Sequence, residues 1–224
     1  EKPFIDPQSR VFHIYTLDGH GCNVFGTAQC AGRSISWAQE LFEITSLRSF
    51  DSLAEQVEPG AGGLIYLPYL EGERSPVFDA LAQGVFFGMN SMHKREHFTR
   101  AVLEGVACGL SQILDTFRER EQIDTLRIIG GGAKSRLWKQ IIADVCNVKL
   151  LEVSTFSDSA TSLGAAAAAG VGIGLFKSLP EAVRHISLSG TVEPSENAEE
   201  LDGLTTKRYA MRYPALKEAF HTRA

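Results

Sequence analysis

Apolar residues recur at spacings of three and four between about His97 and Arg118, and this pattern predicts a long amphipathic helix. The apolar stripe consists of Phe98, Ala101, Val102, Val106, Leu110, Ile113, Leu114 and Phe117. Gly105 and Gly109 lie close to the stripe, although a glycine in a helix interior costs roughly 1 kcal/mol relative to alanine. Because the usual compensation is close approach of another backbone, we expect a tight contact there.

Shorter apolar runs predict strands before and after this helix. In chain order they are Lys2–Ile5, Val11–Leu17, a short patch at Val24–Phe25, Gly62–Leu70, Gly84–Met89, Leu126–Ile129, Lys149–Val153 and Thr191–Ser195. The early strands are predicted to pair as a meander, whereas the later ones are separated by helices and predict crossovers. The predicted fold class is therefore α/β, with a mixed sheet flanked by helices.

Helix-capping residues and small side chains predict the remaining helices. These run from the Gly32–Ser34 segment to Phe42, from Ser49 or Asp51 to Val57, from near Ser135 to Val145, and over Ser157–Gly170, Ser178–Ile186 and Leu204–Phe220. Ser34, and Ser49 or Asp51, are the predicted N-caps of the first two. Pro214 should kink or divide the last helix. The very small side chains of Ser157–Gly170 predict that this helix lies buried.

Composition narrows the class of protein. The chain has 224 residues, a formal net charge of -5, 44% hydrophobic residues and 22% charged residues, as soluble globular proteins do. No apolar run approaches ~20 residues, so no membrane span is expected. The lack of a basic tract argues against nucleic acid as a partner. Four cysteines without a CxxC pair predict free thiols rather than structural zinc.

Three consecutive glycines, Gly130, Gly131 and Gly132, connect a predicted strand to the helix that starts near Ser135. Such a turn lets the backbone approach a flat or charged ligand, with N–H groups of the helix start pointing toward it. From composition alone, a nucleotide contact and a ligand-free turn both remain open. The segment lacks the second glycine of GxxxxGK[ST], and it has GxGxxS in place of the dinucleotide-binding GxGxxG.

For three other polar segments, the local sequence pattern favours a structural role over ligand binding. Gly32 could expose N–H donors to a phosphate, but a plain helix start is the favoured interpretation. The Glu71–Pro76 loop is interpreted as a solvated loop or a structural ion pair. His93 and His97 could share a helix face as metal ligands, but no third ligand stands at a telling spacing, so a metal is not expected.

Four motifs resemble the FGGY carbohydrate kinases. GVFFGMNSMHKREHFTRAVLE, at residues 84–104, is similar to the family signature, and IGGGAKSRLWKQIIADV, at 129–145, to its adenosine motif. YLPYLEGERSP and SATSLGAAAAAG stand in the order that the family has. The resemblance extends from about Val11 to Phe220. Within the family, LPYLEGERSP followed by GVFFG is most similar to the xylulokinases, with the gluconate kinases next.

The resemblance implies an actin-like ATPase fold of two RNase H-like domains with ATP in the cleft between them. Residues 1–224 would be the C-terminal, nucleotide-binding domain. A sugar-binding N-terminal domain with the catalytic aspartate is expected upstream of Glu1, which is not a Met. The implied reaction is Mg²⁺-assisted transfer of the ATP γ-phosphoryl to a sugar hydroxyl, foremost that of D-xylulose, with ADP as product. This fragment alone should then be inactive.

The resemblance also implies site residues and a cellular setting. Gly131, Gly132 and Ala133 should line the adenine and ribose pocket. Arg136 stands where some relatives have an asparagine near adenine, and its guanidinium could stack on the base. Two further positions match nucleotide contacts, Gly32 near the terminal phosphates and Ser36 where relatives have a glutamine. No catalytic or metal-binding residue is expected within the chain.

The resemblance implies a cytoplasmic enzyme, and some relatives are homodimers. The alternatives are a kinase for gluconate or another sugar, and a catalytically silent actin-like module that binds nucleotide without phosphorylating a sugar.

Overall fold

Helices and strands are interspersed along the computed structural model, which describes residues 5–16, 19–153, 159–184, 186–198 and 206–222. The strands are β1 (Phe12–Tyr15), β2 (Cys22–Phe25), β3 (Ile65–Leu67), β4 (Val85–Phe87), β5 (Thr125–Ile128), β6 (Lys149–Val153) and β7 (Leu188–Val192). The helices are α1 (Ala31–Leu41), α2 (Leu47–Ala54), α3 (Arg95–Arg118), α4 (Arg136–Cys146), α5 (Ala160–Gly172), α6 (Leu179–Ala182) and α7 (Arg212–His221). Within these ranges, no helix has the length and apolar character needed to span a membrane.

The strands form one mixed sheet and two antiparallel pairs. β5 and β6 are parallel and joined by α4, with Leu126 opposite Leu150, while β7 runs antiparallel to β6. β1 pairs with β2, and β3 pairs with β4, both antiparallel. The α/β class with a mixed sheet is therefore confirmed. A short connection joins β1 to β2, a longer loop joins β3 to β4, and the crossover helix α4 makes β5 and β6 parallel. The strand predicted at Lys2–Ile5 lies outside the described residues apart from Ile5, which is not in a strand.

α3 is the most deeply buried helix, and it packs against α1, α2, α4 and β3. Gly105 faces β3 so closely that a Cβ there would stand 2.2 Å from the carbonyl oxygen of Tyr66. The expected backbone contact is thus present at this glycine. One turn earlier, the buried pair of Arg100 and Glu104 is joined at 2.5 Å, and Glu104 also accepts a hydrogen bond from the N–H of Gly60 at 2.9 Å.

Two helix starts differ from the sequence prediction. α1 begins at Ala31 with Cys30 at its N-cap, so Gly32 lies inside the helix, and the predicted cap at Ser34 is wrong. Ser34 is buried, and its hydroxyl donates to the carbonyl of Cys30 while accepting from the hydroxyl of Tyr66 at 3.2 Å. α2 is capped by Ser46, which accepts from the N–H of Ser49, rather than by Ser49 or Asp51. In both cases the helix extends upstream of the predicted cap.

The prediction that the small-residue helix α5 lies buried is wrong for most of its residues. Among them, only Ala167 and Gly170 are buried. Small side chains permit close packing without enforcing it, and the described part of the chain covers this helix mainly near α6 and Phe176. Its predicted caps at Ser157 and Asp158 lie outside the described residues.

The C-terminal helical segment is divided, as the proline predicted. Residues 206–210 are helical, the regular helix is interrupted at Met211, and α7 follows from Arg212. Pro214 then lies in the first turn of α7, where its missing N–H would have no helical acceptor.

Gly105→Ala should lower the free energy of unfolding by about 1–3 kcal/mol, because the new methyl group would overlap the Tyr66 carbonyl. Gly109→Ala is the matched control on the same helix, since its Cβ would stand 3.4 Å from the Tyr209 hydroxyl, an ordinary contact. Denaturant unfolding of the full-length protein measures both. Equal effects of the two substitutions would show that the Gly105 contact is not tight.

Candidate functional site

A cavity of about 650 Å³ lies between α1 and the glycine turn that follows β5. This volume falls within the roughly 300–1,000 Å³ of small-molecule sites. Most of the lining side chains are apolar, with a few polar groups and several glycines; the lining residues are Gly32, Ile35, Ser36, Gln39, Leu47, Leu110, Ile128, Ile129, Gly131, Gly132, Lys134, Trp138 and Ile142. The cavity thus unites segments that are about a hundred residues apart in the chain.

The glycine turn has a defined geometry. Gly130 has a φ of +84°, which favours glycine, and a short 3-10 helix follows at Gly131–Lys134. Ser135 then caps α4, accepting a hydrogen bond from the N–H of Trp138 at 2.9 Å. The sequence predicted the turn and the start of the helix near Ser135. It did not predict the intervening 3-10 helix, because the small and polar residues there have no helical pattern.

Gly132 and Trp138 are packed against each other. A Cβ on Gly132 would stand 2.5 Å from the indole ring of Trp138, so the missing side chain lets the ring lie against the turn. At Gly131 and Gly32, by contrast, a Cβ would meet nothing within 4 Å, which leaves open space beside both backbones. The buried indole Nε1 of Trp138 has no hydrogen-bond partner among the described residues. The glycine turn therefore offers the cavity a backbone surface with open space beside it.

The first turn of α1 forms the other wall. Cys30 makes no side-chain capping bond, so the N–H groups of this turn are available to a ligand. Arg33 is half exposed and only loosely paired, at 3.6 Å from Glu40 and 3.9 Å from Glu71. An exposed turn with a nearby guanidinium has the charge that an anion requires.

A buried glutamate holds the backbone that leads into α1. The carboxylate of Glu73 accepts hydrogen bonds from the N–H groups of Gln29 at 2.7 Å and Arg74 at 2.8 Å. Next to it, the N–H of Ser75 donates to the carbonyl of Thr27 at 3.0 Å. Burial raises the pKa of the Glu73 carboxyl. The interpretation of this loop as solvated or ion-paired is therefore wrong for Glu73, whose partners are backbone N–H groups that sequence spacing does not reveal.

The two spaced histidines do not share a helix face. His93 precedes α3, whereas His97 lies in its first turn, with the ring centroids 5.3 Å apart. Their Nδ1 atoms accept from the N–H groups of Asn90 and Lys94, and His93 Nε2 lies 3.2 Å from the Gly62 carbonyl. Among the described residues, no three His, Cys, Asp or Glu side chains are grouped to hold a metal ion. The histidines therefore have structural contacts of their own.

A family model for the C-terminal domain of the FGGY family of carbohydrate kinases matches residues 5–173, well over half of the chain. The chain belongs to the FGGY family. The family predicted from the sequence motifs is thus confirmed.

Relatives and solved structures agree with this assignment. The xylulose kinase of Bacillus subtilis (strain 168) is 38% identical over 160 residues, covering 70% of this chain and 31% of that protein. A gluconokinase of Bacillus licheniformis is 32% identical over 172 residues, covering 71% of this chain and 33% of that protein. The chain therefore spans about a third of the length of these curated relatives.

The fold of a ligand-bound xylulose kinase from Lactobacillus acidophilus matches with a TM-score of 0.87 at 26% identity, covering 100% of this chain and 45% of that one. A Plasmodium falciparum glycerol kinase with ADP matches with a TM-score of 0.67 at 24% identity, covering 91% of this chain. These likenesses confirm the actin-like ATPase fold class, which has RNase H-like domains.

The positions that the FGGY resemblance singled out fall into two groups. The cavity lining includes Gly32, Ser36, Gly131 and Gly132. Ala133 lies in the 3-10 helix and Arg136 at the start of α4, and neither is in the cavity lining. The role of all six positions toward a nucleotide stays a prediction.

Sequence reasoning missed three polar or aromatic lining residues. These are Gln39, Lys134 and Trp138. For Gln39 a signal existed, because it lies three residues after Ser36 and therefore on the same face of the helix. For Trp138 the signal was weaker, since a tryptophan in an amphipathic helix is ordinarily attributed to the core.

Glu73→Ala should destabilise this part of the FGGY domain, because the Gln29 N–H loses its acceptor at a cost of about 1–3 kcal/mol. For a domain of this size the expected fall in Tm is roughly 2–4 °C per kcal/mol. Glu73→Gln is the control, since its amide oxygen can still accept, and it should lower Tm clearly less. Thermal unfolding of the full-length protein measures both, and equal falls would mean that charge rather than hydrogen bonding is what matters at Glu73.

Proposed function

We propose that residues 1–224 form the C-terminal nucleotide-binding domain of an ATP-dependent sugar kinase. The kinase would transfer the ATP γ-phosphoryl to a sugar hydroxyl, foremost converting D-xylulose to D-xylulose 5-phosphate. The observation that carries this proposal is the cavity, which brings Gly32 and Ser36 of α1 together with Gly131 and Gly132 of the glycine turn. A cavity that joins these segments is what a nucleotide site built from the family motifs requires.

The residues present suit a nucleotide. Apolar lining side chains such as Ile128 and Ile142 can take a flat base, and the open space beside Gly131 lets backbone approach the ribose. Gly32 would place its N–H near the terminal phosphates, at the positive end of the α1 dipole. Ala133 and Arg136 would complete the adenosine side from outside the cavity lining.

Mg²⁺ is the expected companion of ATP in phosphoryl transfer, where it neutralises phosphate charge. The described residues offer no grouped set of metal-binding side chains, so we assign no step to this ion within the chain. We propose that the base, the metal-facing groups and most sugar contacts come from protein outside these residues. The 224 residues alone should then not phosphorylate a sugar. The proposed localisation is the cytoplasm, which contains both ATP and free sugars.

The substrate proposal rests on the relatives. Xylulose kinases of several bacteria are 34–38% identical to this chain, whereas the gluconokinases are 30–32% identical. A gluconate kinase from Lactobacillus acidophilus nevertheless matches the fold with a TM-score of 0.86, so gluconate is the second candidate. A silent actin-like nucleotide-binding module is the alternative from another class.

A coupled ADP-release assay of the full-length protein against D-xylulose, D-gluconate and glycerol should give the highest kcat/KM with D-xylulose. A higher kcat/KM with D-gluconate would make gluconate, rather than D-xylulose, the proposed substrate. Absence of sugar-dependent ADP release from a folded, ATP-binding protein would instead favour the silent module.

Gly132→Ala should raise the KM for ATP about tenfold, equivalent to ~1.4 kcal/mol of binding, because the methyl group would displace Trp138 or the turn. The KM for the sugar should stay nearly unchanged. Gly172→Ala is the control, since its Cβ would meet nothing within 4 Å, and it should leave both constants as they are. Steady-state kinetics of the full-length kinase test this, and an unaltered KM for ATP would move the nucleotide site away from the glycine turn.

A further inference from the structure

One face of α1 forms a continuous wall of the cavity. Gly32, Ile35, Ser36 and Gln39 all line it, and their spacings of three and four place them along a single stripe. With a rise of 1.5 Å per residue, Gln39 lies roughly 10 Å from Gly32 along the helix axis. That separation is shorter than an extended nucleoside triphosphate, so one bound nucleotide is long enough to contact both residues.

The two ends of this wall differ in charge. Gly32 lies in the uncapped first turn of α1, where backbone N–H groups and the positive end of the helix dipole attract anions. Near Gln39, Glu40 and Glu43 line an adjoining surface depression; Glu40 is loosely paired with Arg33 at 3.6 Å, which leaves Glu43 as the main negative charge there. Because carboxylates repel phosphates, the charge distribution orients a nucleotide with its phosphates at Gly32 and its base toward Gln39.

The side chain of Gln39 is available to a ligand. It is partly exposed in the cavity wall, and its carboxamide forms no hydrogen bond with any residue that the structure describes. The neighbouring hydroxyl of Ser36 instead lies 3.4 Å from the carbonyl of Gly32, to which it donates. Of these two α1 side chains, Gln39 therefore has the free hydrogen-bonding capacity as well as the longer reach.

On these grounds we propose that Gln39 is a specificity-determining residue that recognises adenine. Its carbonyl oxygen would accept from the 6-amino group, and its amide would donate to N7. A carboxamide matches this pair of groups, whereas guanine presents two acceptors, O6 and N7, along the same edge. The inference rests on the proposed nucleotide function and adds to it the residue that selects the base.

The test compares ATP, purine riboside triphosphate, which lacks the amino group, and 7-deaza-ATP, which lacks N7. Calorimetry on the full-length protein gives a Kd for each, and kinetics give kcat/KM. In Gln39→Met both groups of the carboxamide are lost, so the preference for ATP over either analogue should shrink at least about fivefold. In Gln39→Glu an acceptor remains, so the preference over purine riboside triphosphate should persist while the preference over 7-deaza-ATP falls.

Gln56→Met is the matched control, because Gln56 donates only to the Ser52 carbonyl and lies outside the cavity lining. It should leave all ratios unchanged. A merely structural role of Gln39 would weaken ATP and both analogues by one common factor, and that result, or no change at all, would overturn the assignment. If the unaltered protein binds ATP without phosphorylating any sugar, the kinase proposal fails while the binding ratios still decide Gln39. If it binds no nucleotide, both fail.

Discussion

The contact between α3 and the backbone of β3 is the constraint on which the arrangement of this FGGY domain depends. Gly105 admits the Tyr66 carbonyl into space that any other residue would fill. This approach fixes α3 in the core, where it packs against α1, α2 and α4. Since α1 and α4 carry opposite walls of the cavity, and Leu110 of α3 lines it as well, the shape of the site follows from how closely one helix can approach one strand.

Two buried glutamates connect this core to the loops around it. Glu104 on α3 accepts from the N–H of Gly60, and Glu73 accepts from the N–H of Gln29 just before α1. Burial raises the pKa of both carboxyls, as expected where desolvation disfavours the ionised form. The hydrogen bonds from backbone N–H groups, and for Glu104 the guanidinium of Arg100, offset that penalty. The same physical device thus positions two loops with different sequences.

Features set by local periodicity or steric rules were predictable from the sequence. The stripe from Phe98 to Phe117 predicted α3, the glycine turn was predicted between β5 and α4, and Pro214 predicted the divided last helix. Features that depend on which surfaces meet were not. Small side chains in α5 suggested burial, yet packing needs a partner surface, and the described residues supply little of one. The partners of Glu73 are backbone groups distant in the chain, which no side-chain motif records.

The candidate site shows the same division. Gly131 and Gly132, which the family motifs singled out, line one cavity with Gly32 and Ser36, because each lies on a contiguous segment with its own turn or helix start. The contributions of Gln39 and Trp138 emerge only when the two segments face each other. Helix periodicity could have included Gln39, but nothing in the sequence separates a tryptophan that lines a cavity from one that fills the core.

The placement of the two tryptophans gives the chain an internal optical contrast. Trp37 lies among aromatic rings, 6.1 Å from Tyr66 and 6.3 Å from Phe86 between centroids, and is not one of the cavity-lining residues. Trp138 lies against the glycine turn, at the cavity wall. Because indole emission responds to the polarity of its surroundings, a ligand that fills the cavity would change the emission of Trp138 more directly than that of Trp37. The domain therefore carries its own fluorescent reporter of occupancy, with a built-in reference and no attached dye.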